Sequence, residues 1–246
     1  MSIYPTESRN PNLYFDIAKG LIPGHVVYNI LGYRETIASG VTCDIWNGNA
    51  NNYPFQPIAG PTSISGSNIN DDVNGTGART LLVEGLNSQF IEISQLVTMV
   101  SQTEIFLPID LIRVNKILVL TAGTQEKNQG FIRCRINGQV VAQLKSGDNR
   151  SFNAVYTIPA LKYGFLTTIN ASTDTYLSCK VDIRGIGGVF ITERQFHISS
   201  SSYLETVSLG RVITGPADIL MRVTNYNSIG NISGNIKLIV VNSVGH

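Results

Sequence analysis

The sequence has few charged side chains for its length. Asp, Glu, Lys and Arg make up 14% of its 246 residues, well below the roughly 25% of a typical soluble domain. The polar surface must therefore come from Asn, Ser, Thr, Gln and the backbone. Such a surface suits proteins that pack into assemblies, where every buried charge would need a partner, and it also suits sugar-binding and secreted proteins.

The sequence has no excess of charge of one sign either. Its 18 basic and 17 acidic residues give a formal net charge of +1, whereas nucleic-acid binders usually carry a basic stripe that displaces counterions from phosphate. Arg133 and Arg135 share one face of a predicted strand, but acidic residues balance the basic ones overall. We therefore expect no direct contact with nucleic acid.

Cysteine is scarce. The three cysteines, Cys43, Cys134 and Cys179, are an odd number without metal-like spacing, and a disulfide scaffold would need more of them in a shorter chain. Cys134 and Cys179 lie on the apolar faces of alternating segments, which predicts small buried hydrophobic residues. We expect no metal and no cofactor.

Long apolar runs are missing. The longest, such as Ile117–Leu120 and Leu238–Val241, are far too short to cross a bilayer. The first residues show neither a basic start nor a continuous apolar core, so we expect no signal peptide. These patterns predict a protein that is made in a cytoplasm, is soluble there and has no membrane partner, and that leaves the cell only as part of a particle.

A period of two is what the sequence has in abundance. In Leu177-Ser-Cys-Lys-Val-Asp-Ile-Arg184 every second residue is apolar, as a half-buried strand requires. About a dozen such segments are separated by turn residues, and Asn137-Gly138 is a strong hairpin signal. We predict an all-β, antiparallel β-sandwich. A jelly roll is favoured over an immunoglobulin-like domain, because the cysteine and tryptophan arrangement of antibody domains is missing.

The domain organisation follows from the turn residues. Residues 1–20, with Pro5 and Asn10-Pro11-Asn12, predict an extended N-terminal arm that packs on a neighbouring subunit or on its own domain. Residues 21–246 predict a single β-sandwich domain. Its region near 47–77 is rich in Gly, Pro, Asn and Asp and predicts a long loop, of the kind that is usually functional or held by a partner.

Few residues are candidates for catalysis. The three histidines are His25, His197 and His246, and sequence alone pairs none of them with a serine or cysteine nucleophile. Asp71-Asp72 superficially resembles a calcium loop, but the ligand spacing fails after these two acids, which favours a role in the turn. We expect that the chain is not an enzyme.

Three glutamates keep a hydrolase hypothesis open. Glu84, Glu92 and Glu104 lie on or near neighbouring strands, and glycosidases use a pair of carboxylates beside a cleft. Their default role is on a solvated or interface face. A structure without a pocket near them would remove the hydrolase hypothesis.

Aromatic residues are the candidates for an interface. Trp46, Tyr53 and Phe55 surround the early loop and could stack on a sugar, although anchoring the loop to its own sandwich or to a neighbour is favoured. The full set of candidate interface residues is Tyr4, Tyr14, Phe15, Trp46, Tyr53 and Phe55.

Several short motifs resemble those of a known family. They are Ile45-Trp-Asn-Gly48, Tyr53-Pro54, Asn74-Gly-Thr-Gly-Ala-Arg-Thr80, Val83-Glu-Gly-Leu-Asn87, Thr121-Ala-Gly123 with Asn128 and Gly130, and Tyr156-Thr-Ile-Pro159. Across roughly residues 24–170 the chain resembles virion structural proteins of marine tailed bacteriophages. The loop after Trp46 is rich in Asn where members of that family often carry paired glycines, so no ligand of that loop is carried over. The resemblance implies a non-enzymatic part of a virus particle and gives no catalytic residue.

The leading hypothesis is therefore a capsid cement, decoration or appendage subunit located in the virion. Its expected partners are other capsid or tail proteins and further copies of itself, and a trimer follows from analogy with other viral jelly rolls. The alternative is a receptor- or glycan-binding fibre or tail module of the virion. A hydrolase on a sandwich scaffold is the third hypothesis.

Overall fold

A computed structural model describes residues 13–48, 50–207 and 211–243. Within these ranges nearly all regular structure is β-strand, and every strand pairing is antiparallel. The elements are α1 Leu13–Ala18, β1 His25–Ile37, β2 Thr42–Asp44, β3 Thr62–Gly66, β4 Ala78–Leu86, β5 Glu92–Thr98, β6 Ile105–Phe106, β7 Arg113–Ala122, β8 Ile132–Ile136, β9 Gln139–Leu144, β10 Val155–Ile158, β11 Lys162–Thr173, β12 Tyr176–Gly185, β13 Ile191–Ser199, β14 Ser202–Thr206, β15 Val212–Thr214, β16 Ala217–Asn225 and β17 Gly230–Asn242. The prediction of an all-β, antiparallel fold is confirmed.

Two of the sheets form a jelly roll. One has the order β1-β17-β11-β14, with β15 also on β11, and the other has the order β10-β16-β12-β13, with β2 also on β16. When β2 with β10 and β14 with β15 are counted as single interrupted strands, the orders are 1-8-3-6 and 2-7-4-5. This is the arrangement of two Greek keys in a jelly roll. We call this part of the molecule the jelly-roll lobe.

A second sandwich is inserted between β2 and β10. Its sheets have the orders β6-β3-β8-β9 and β5-β4-β7, and we call residues 62–144 the inserted lobe. The hairpin predicted at Asn137-Gly138 joins β8 to β9 there. Both turn residues have positive φ, 52° and 77°, which glycine and asparagine tolerate best.

The apolar residues gather in two clusters, one inside each lobe. The sheet that contains β16 takes part in both of them. Ile219 and Met221 face the jelly-roll core, whereas Leu220 faces the core of the inserted lobe. Alternation along the strand explains this division, because successive side chains leave opposite faces. The predicted domain of residues 21–246 thus contains two hydrophobic cores that share one sheet.

A buried ionic cluster joins the two lobes. The carboxylate of Asp218 on β16 accepts hydrogen bonds from the Arg113 guanidinium of β7 at 3.0 and 3.1 Å. It also accepts bonds from the Arg184 guanidinium at 3.0 Å and from the Thr157 hydroxyl at 2.6 Å. Arg113 and Asp218 are both buried, so this pair fixes the register between the lobes in a dry environment.

The predicted extended arm is wrong for residues 13–18, which form α1. Leu13 and Ile17 are four residues apart and therefore share one face of a helix. Ile17 is buried, α1 packs on β1, and the ammonium of Lys237 lies 5.2 Å from the centre of the Tyr14 ring. Residues 1–12 of the predicted arm lie outside the described residues.

The predicted loop near 47–77 is interrupted by β3, Thr62–Gly66, which pairs with β6 and β8. Its alternation is hidden because Thr62, Ser63 and Ile64 are all buried. A strand with both faces covered has no polar face to mark its period.

Candidate functional site

A cleft of about 530 Å³ lies between the two lobes. One wall comes from the jelly-roll lobe, with β1 residues 26–31 and the segment from Arg150 to Tyr156. The other wall comes from β4, β5 and β7 of the inserted lobe. Its size is within the range of small-molecule sites, about 300–1,000 Å³.

Strand edges line the cleft on both sides. Among the strands of the described ranges, β1 pairs with β17 alone and β5 with β4 alone. The Gly24 carbonyl accepts a bond from the Asn242 amide at 3.0 Å, and the Tyr33 amide donates to the Phe152 carbonyl on the opposite side at 3.4 Å. Because antiparallel bonding alternates along a strand, the backbone groups of Val27 and Asn29 point towards the cleft.

Two of the glutamates considered for catalysis line the inserted-lobe wall. Glu84 pairs with Ser94 in the ladder, and Glu92 is two residues before Ser94, so the carboxylates are diagonal neighbours on one face. Glu84 forms an ion pair with Lys116 at 2.6 Å. A pocket is present beside these glutamates, so the hydrolase hypothesis is not removed on that ground. However, the carboxylate of Glu84 is already held by Lys116.

Glu92 connects the two lobes. It forms an ion pair with Lys162 of β11 and accepts a hydrogen bond from the Tyr28 hydroxyl at 3.0 Å. Burial, and next the negative charge of Glu92, raises the pKa of Tyr28 to about 12. The tyrosine therefore remains a hydrogen-bond donor throughout the neutral range, and Glu92 is not a free acid in the cleft. Glu104 lies outside the cleft lining and accepts a bond from the Ser63 hydroxyl at 2.6 Å.

The jelly-roll wall carries polar groups without partners. Asn153 and Tyr156 line the cleft and are only 3% and 4% exposed. Both amide atoms of Asn153, the Tyr156 hydroxyl and Nε of Arg150 have no hydrogen-bond partner among the described residues. Buried polar groups are almost always paired in native proteins, so this wall is unusual.

Arg150 also lacks an ion pair within the described ranges. Its guanidinium lies 5.7 Å from the centre of the Phe152 ring, and burial lowers its pKa from the ordinary value. Tyr156 lies beside Tyr28 with ring centres 5.1 Å apart, and burial raises its pKa well above 10.0. The two tyrosine hydroxyls influence each other's pKa but do not reach hydrogen-bonding geometry.

Sequence reasoning missed Arg150, Asn153 and Tyr156 as site residues. The first two lie in the irregular segment before β10, where no periodicity marks a face. Tyr156 lies in a strand that is buried on both sides. Isolated β-bridges to Leu118 and to Trp46 hold Arg150 and Asn153 in the cleft wall. A bridge between distant segments cannot be recognised in the local sequence.

Trp46 and Tyr53 anchor the early loop inside their own chain. They are 1% and 5% exposed, and their rings meet edge to face at 5.3 Å. The Tyr53 amide donates to the buried carboxylate of Asp44 at 2.7 Å. Both rings are thus covered and cannot stack on a sugar, which corrects the alternative of a sugar platform for this pair.

Phe55 lies at a shallow depression on the same side. It is half-buried and packs on Tyr53 and Phe190, with the Arg184 guanidinium 4.5 Å from its ring centre. Of the remaining candidate interface residues, Tyr14 and Phe15 are exposed on α1. Tyr4 lies outside the described residues.

Asp71 is a structural anchor. Its carboxylate is buried and accepts bonds from the backbone amides of Ala78, Gln129 and Gly130 at 2.8–2.9 Å. A backbone bond from Asn74, first among several causes, lowers the pKa of Asp72. The described ranges contain no group of His, Cys, Asp and Glu able to hold a metal ion. The turn role predicted for these two acids is confirmed.

The histidines and cysteines are also accounted for. Nδ1 of His25 is 3.0 Å from the Pro23 carbonyl, and Nδ1 of His197 is 3.3 Å from the Tyr176 hydroxyl. Within the described residues neither ring forms a hydrogen bond with a serine or cysteine, although His197 lies opposite Ser178 in the ladder. His246 lies outside the described residues. The three cysteines are buried and unpaired, as predicted. The one helix in the described part of the chain has six residues, and no helix there is long enough to span a membrane.

Comparisons with known proteins give little beyond the fold. No protein-family model and no curated protein matches the chain. The chain is similar to a protein in the solved structure of the infectious bursal disease virus Gt strain, with 9% identity over 91% of this chain and 74% of that chain and a TM-score of 0.23. For the Gx strain of the same virus the identity is 11%, the coverage 90% and 72%, and the TM-score 0.26. At TM-scores this low, the likeness to these viral proteins carries no argument about function.

Proposed function

We propose that the chain is a structural subunit of a virion, acting as a capsid cement, decoration or appendage protein. The observation that carries this proposal is an apolar face on the inserted lobe. On the side of the sheet β5-β4-β7 that faces away from the core of the inserted lobe, the side that also carries Glu84 and Glu92 in the cleft, Leu96 and Leu120 are 69% and 49% exposed. Large apolar patches on a soluble protein usually mark contacts with other proteins.

The ladder register makes this face continuous. Leu82 on the central strand pairs with Leu96 of β5 and with Leu118 of β7, so three leucines form one row across the sheet. Leu120 lies two residues beyond Leu118, at a bulge where β7 has an extra residue between the partners of Leu81 and Thr80, and its side chain is exposed. We call Leu82, Leu96, Leu118 and Leu120 the leucine face. The leucine face would act passively, by being buried against a neighbouring subunit.

The low charge of the whole chain and the resemblance to phage virion proteins support the same proposal. Its partners would be other capsid or tail proteins and further copies of this chain, with a trimer as the working assumption by analogy. We also propose that the chain has no enzymatic activity, since Glu84 and Glu92 are both engaged by lysines.

The leucine face can be tested by charge insertion. Leu96→Glu combined with Leu120→Glu should convert an oligomer to monomers, because a carboxylate cannot be buried there without a partner. Multi-angle light scattering measures the change. Leu161→Glu is the matched control, because Leu161 is 76% exposed but lies on a turn of the jelly-roll lobe. An oligomer that survives the double substitution would refute the leucine face.

The virion role needs a separate measurement. An antibody raised against the purified chain should label intact virus particles from the culture in which the protein is made. Particles that carry no label, while the free protein accumulates in the cell, would refute a structural role. Assays with glycoside substrates should show no turnover.

A further inference from the structure

We propose that the cleft between the lobes binds a saccharide that bears a carboxylate, with the carboxylate on Arg150 and sugar hydroxyls on Asn153 and Tyr156. This site does not depend on the proposed virion role. The proposed sugar site is the cleft, and not the aromatic residues of the early loop.

The distribution of charge in the cleft favours a ligand with an acidic group at Arg150. Lys116 is neutralised by Glu84, and Lys162 by Glu92. Arg150 has no acidic partner among the residues that the structure describes. An unpaired charge that is partly withdrawn from water is costly. The planar guanidinium matches a carboxylate through two parallel hydrogen bonds.

The neutral groups favour hydroxyls. The Asn153 amide has an unpartnered donor and an unpartnered acceptor, and the unpartnered Tyr156 hydroxyl can act as either. These atoms are covered by the cleft wall, so a ligand reaches them once the two side chains rotate towards the cleft. A sugar hydroxyl also donates and accepts, so one class of ligand satisfies all of these groups. The Tyr28 ring, half-buried in the same wall, adds an apolar surface of the kind that packs on the carbon face of a sugar.

The unpartnered groups also favour a compact ligand. They belong to three residues within the seven-residue segment 150–156. An extended peptide could pair with the free edge of β1, but such pairing would use the backbone of Val27 and Asn29 and would not require the side chains of this segment. The cleft volume of about 530 Å³ suits one to three sugar units.

Titration calorimetry with a matched pair of ligands tests this site. The galacturonic acid trisaccharide should bind the full chain at physiological salt, and the neutral galactose trisaccharide should bind at least about tenfold more weakly, since it lacks the charged hydrogen bond. Arg150→Gln should weaken binding of the acidic sugar by at least about tenfold. Arg211→Gln, at an exposed arginine outside the cleft, should leave binding unchanged.

A conservative variant separates binding from folding. Tyr156→Phe removes a hydroxyl that has no hydrogen-bond partner among the described residues, so the variant should fold normally and bind the acidic sugar several-fold more weakly. Four outcomes would overturn the site: no binding of the acidic sugar, equal binding of the neutral one, unchanged binding by Arg150→Gln, or binding only of an acidic extended peptide. None of them affects the particle-labelling test.

Discussion

The two faces of the sheet β10-β16-β12-β13 are held by different forces. On the face towards the jelly-roll core, β16 contributes Ile219, Met221 and Val223. On the face towards the inserted lobe, the same strand contributes Asp218 and Arg222, which form ion pairs with Arg113 and Asp44. In a chain with few charges, several of them are therefore buried between the lobes. Apolar burial drives the jelly roll together. On the other face Leu220 adds an apolar contact with the inserted lobe, and the Arg113–Asp218 ion pair sets the register of that lobe.

The largest expected effect is at the charged face. Asp218→Ala should lower the free energy of unfolding by about 3–5 kcal/mol, because it leaves Arg113 buried without a counter-charge. Urea unfolding followed by circular dichroism measures it. A loss below about 1 kcal/mol would show that the lobes do not depend on this pair.

A double substitution sharpens the contrast between the faces. Arg113→Met with Asp218→Leu replaces the ion pair by apolar groups and should recover most of that loss, as buried pairs often tolerate such exchange. If the double variant regains stability and also binds the sugar as tightly as before, the ion pair contributes to stability alone. A sugar affinity that falls while stability returns would show that the pair sets the cleft geometry.

The apolar interiors make stability fall at high pH. Burial raises the pKa of Cys134, within the inserted lobe, from 9.0 to about 12. The unfolded chain releases this proton near pH 9 and the folded chain only near pH 12. Stability from this group is therefore complete below pH 9 and is lost between pH 9 and 12, by about 1.4 kcal/mol per pH unit.

Urea midpoints measured from pH 8 to pH 11 test this slope, and a thiol reagent gives an independent reading. The thiols of the folded protein should react at pH 8 only after urea is added, since the thiolate is the reactive form. Rapid labelling of the folded protein would contradict the burial of Cys134 and Cys179.

A smaller effect is expected at the apolar face. Ile219→Val removes one methylene from a buried position and should cost about 0.5–1.5 kcal/mol. The same urea titration measures it. A cost as large as that of Asp218→Ala would remove the distinction between the two faces.

The smallest effect on stability is expected in the cleft wall. Tyr156→Phe should change the free energy of unfolding by less than about 1 kcal/mol, because the part of the chain that the structure describes offers the lost hydroxyl no hydrogen bond. Thermal unfolding measures the change. A large loss would reveal a bond to this hydroxyl, through a buried water for example.

Many strands could be predicted because a strand with one buried face keeps its alternation of apolar and polar residues. The segment Leu177–Arg184 became most of β12, and Asn137-Gly138 became the turn between β8 and β9. The half-buried strand predicted for this segment is wrong in one respect, because its polar residues Ser178 and Asp182 are buried as well. A second layer covers that face, and local alternation cannot report what packs on top of a sheet.

The elements that were not predicted depend on partners distant in the sequence. α1 is stabilised by Ile17 and by packing on β1, although its flanking prolines and asparagines favour extended chain. The cleft could not be predicted from the sequence for the same reason. Arg150 and Asn153 acquire their position only when the inserted lobe docks on the jelly-roll lobe, and neither has a motif that identifies it.

The interruption in the second strand of the jelly roll has a consequence for how this molecule can vary. The Ile45 amide donates to the Met221 carbonyl, the Met221 amide donates to the Ala154 carbonyl, and the Ala154 amide donates to the Ile45 carbonyl, all at 2.8–2.9 Å. The chain thus departs at Ile45 and comes back at Ala154 through a single gap in one ladder. Residues 46 to 153 thus leave and re-enter the frame at neighbouring positions. We therefore expect changes of length in the surface loops of this span to leave the hydrogen bonds around the gap intact, as long as Arg113 still reaches Asp218.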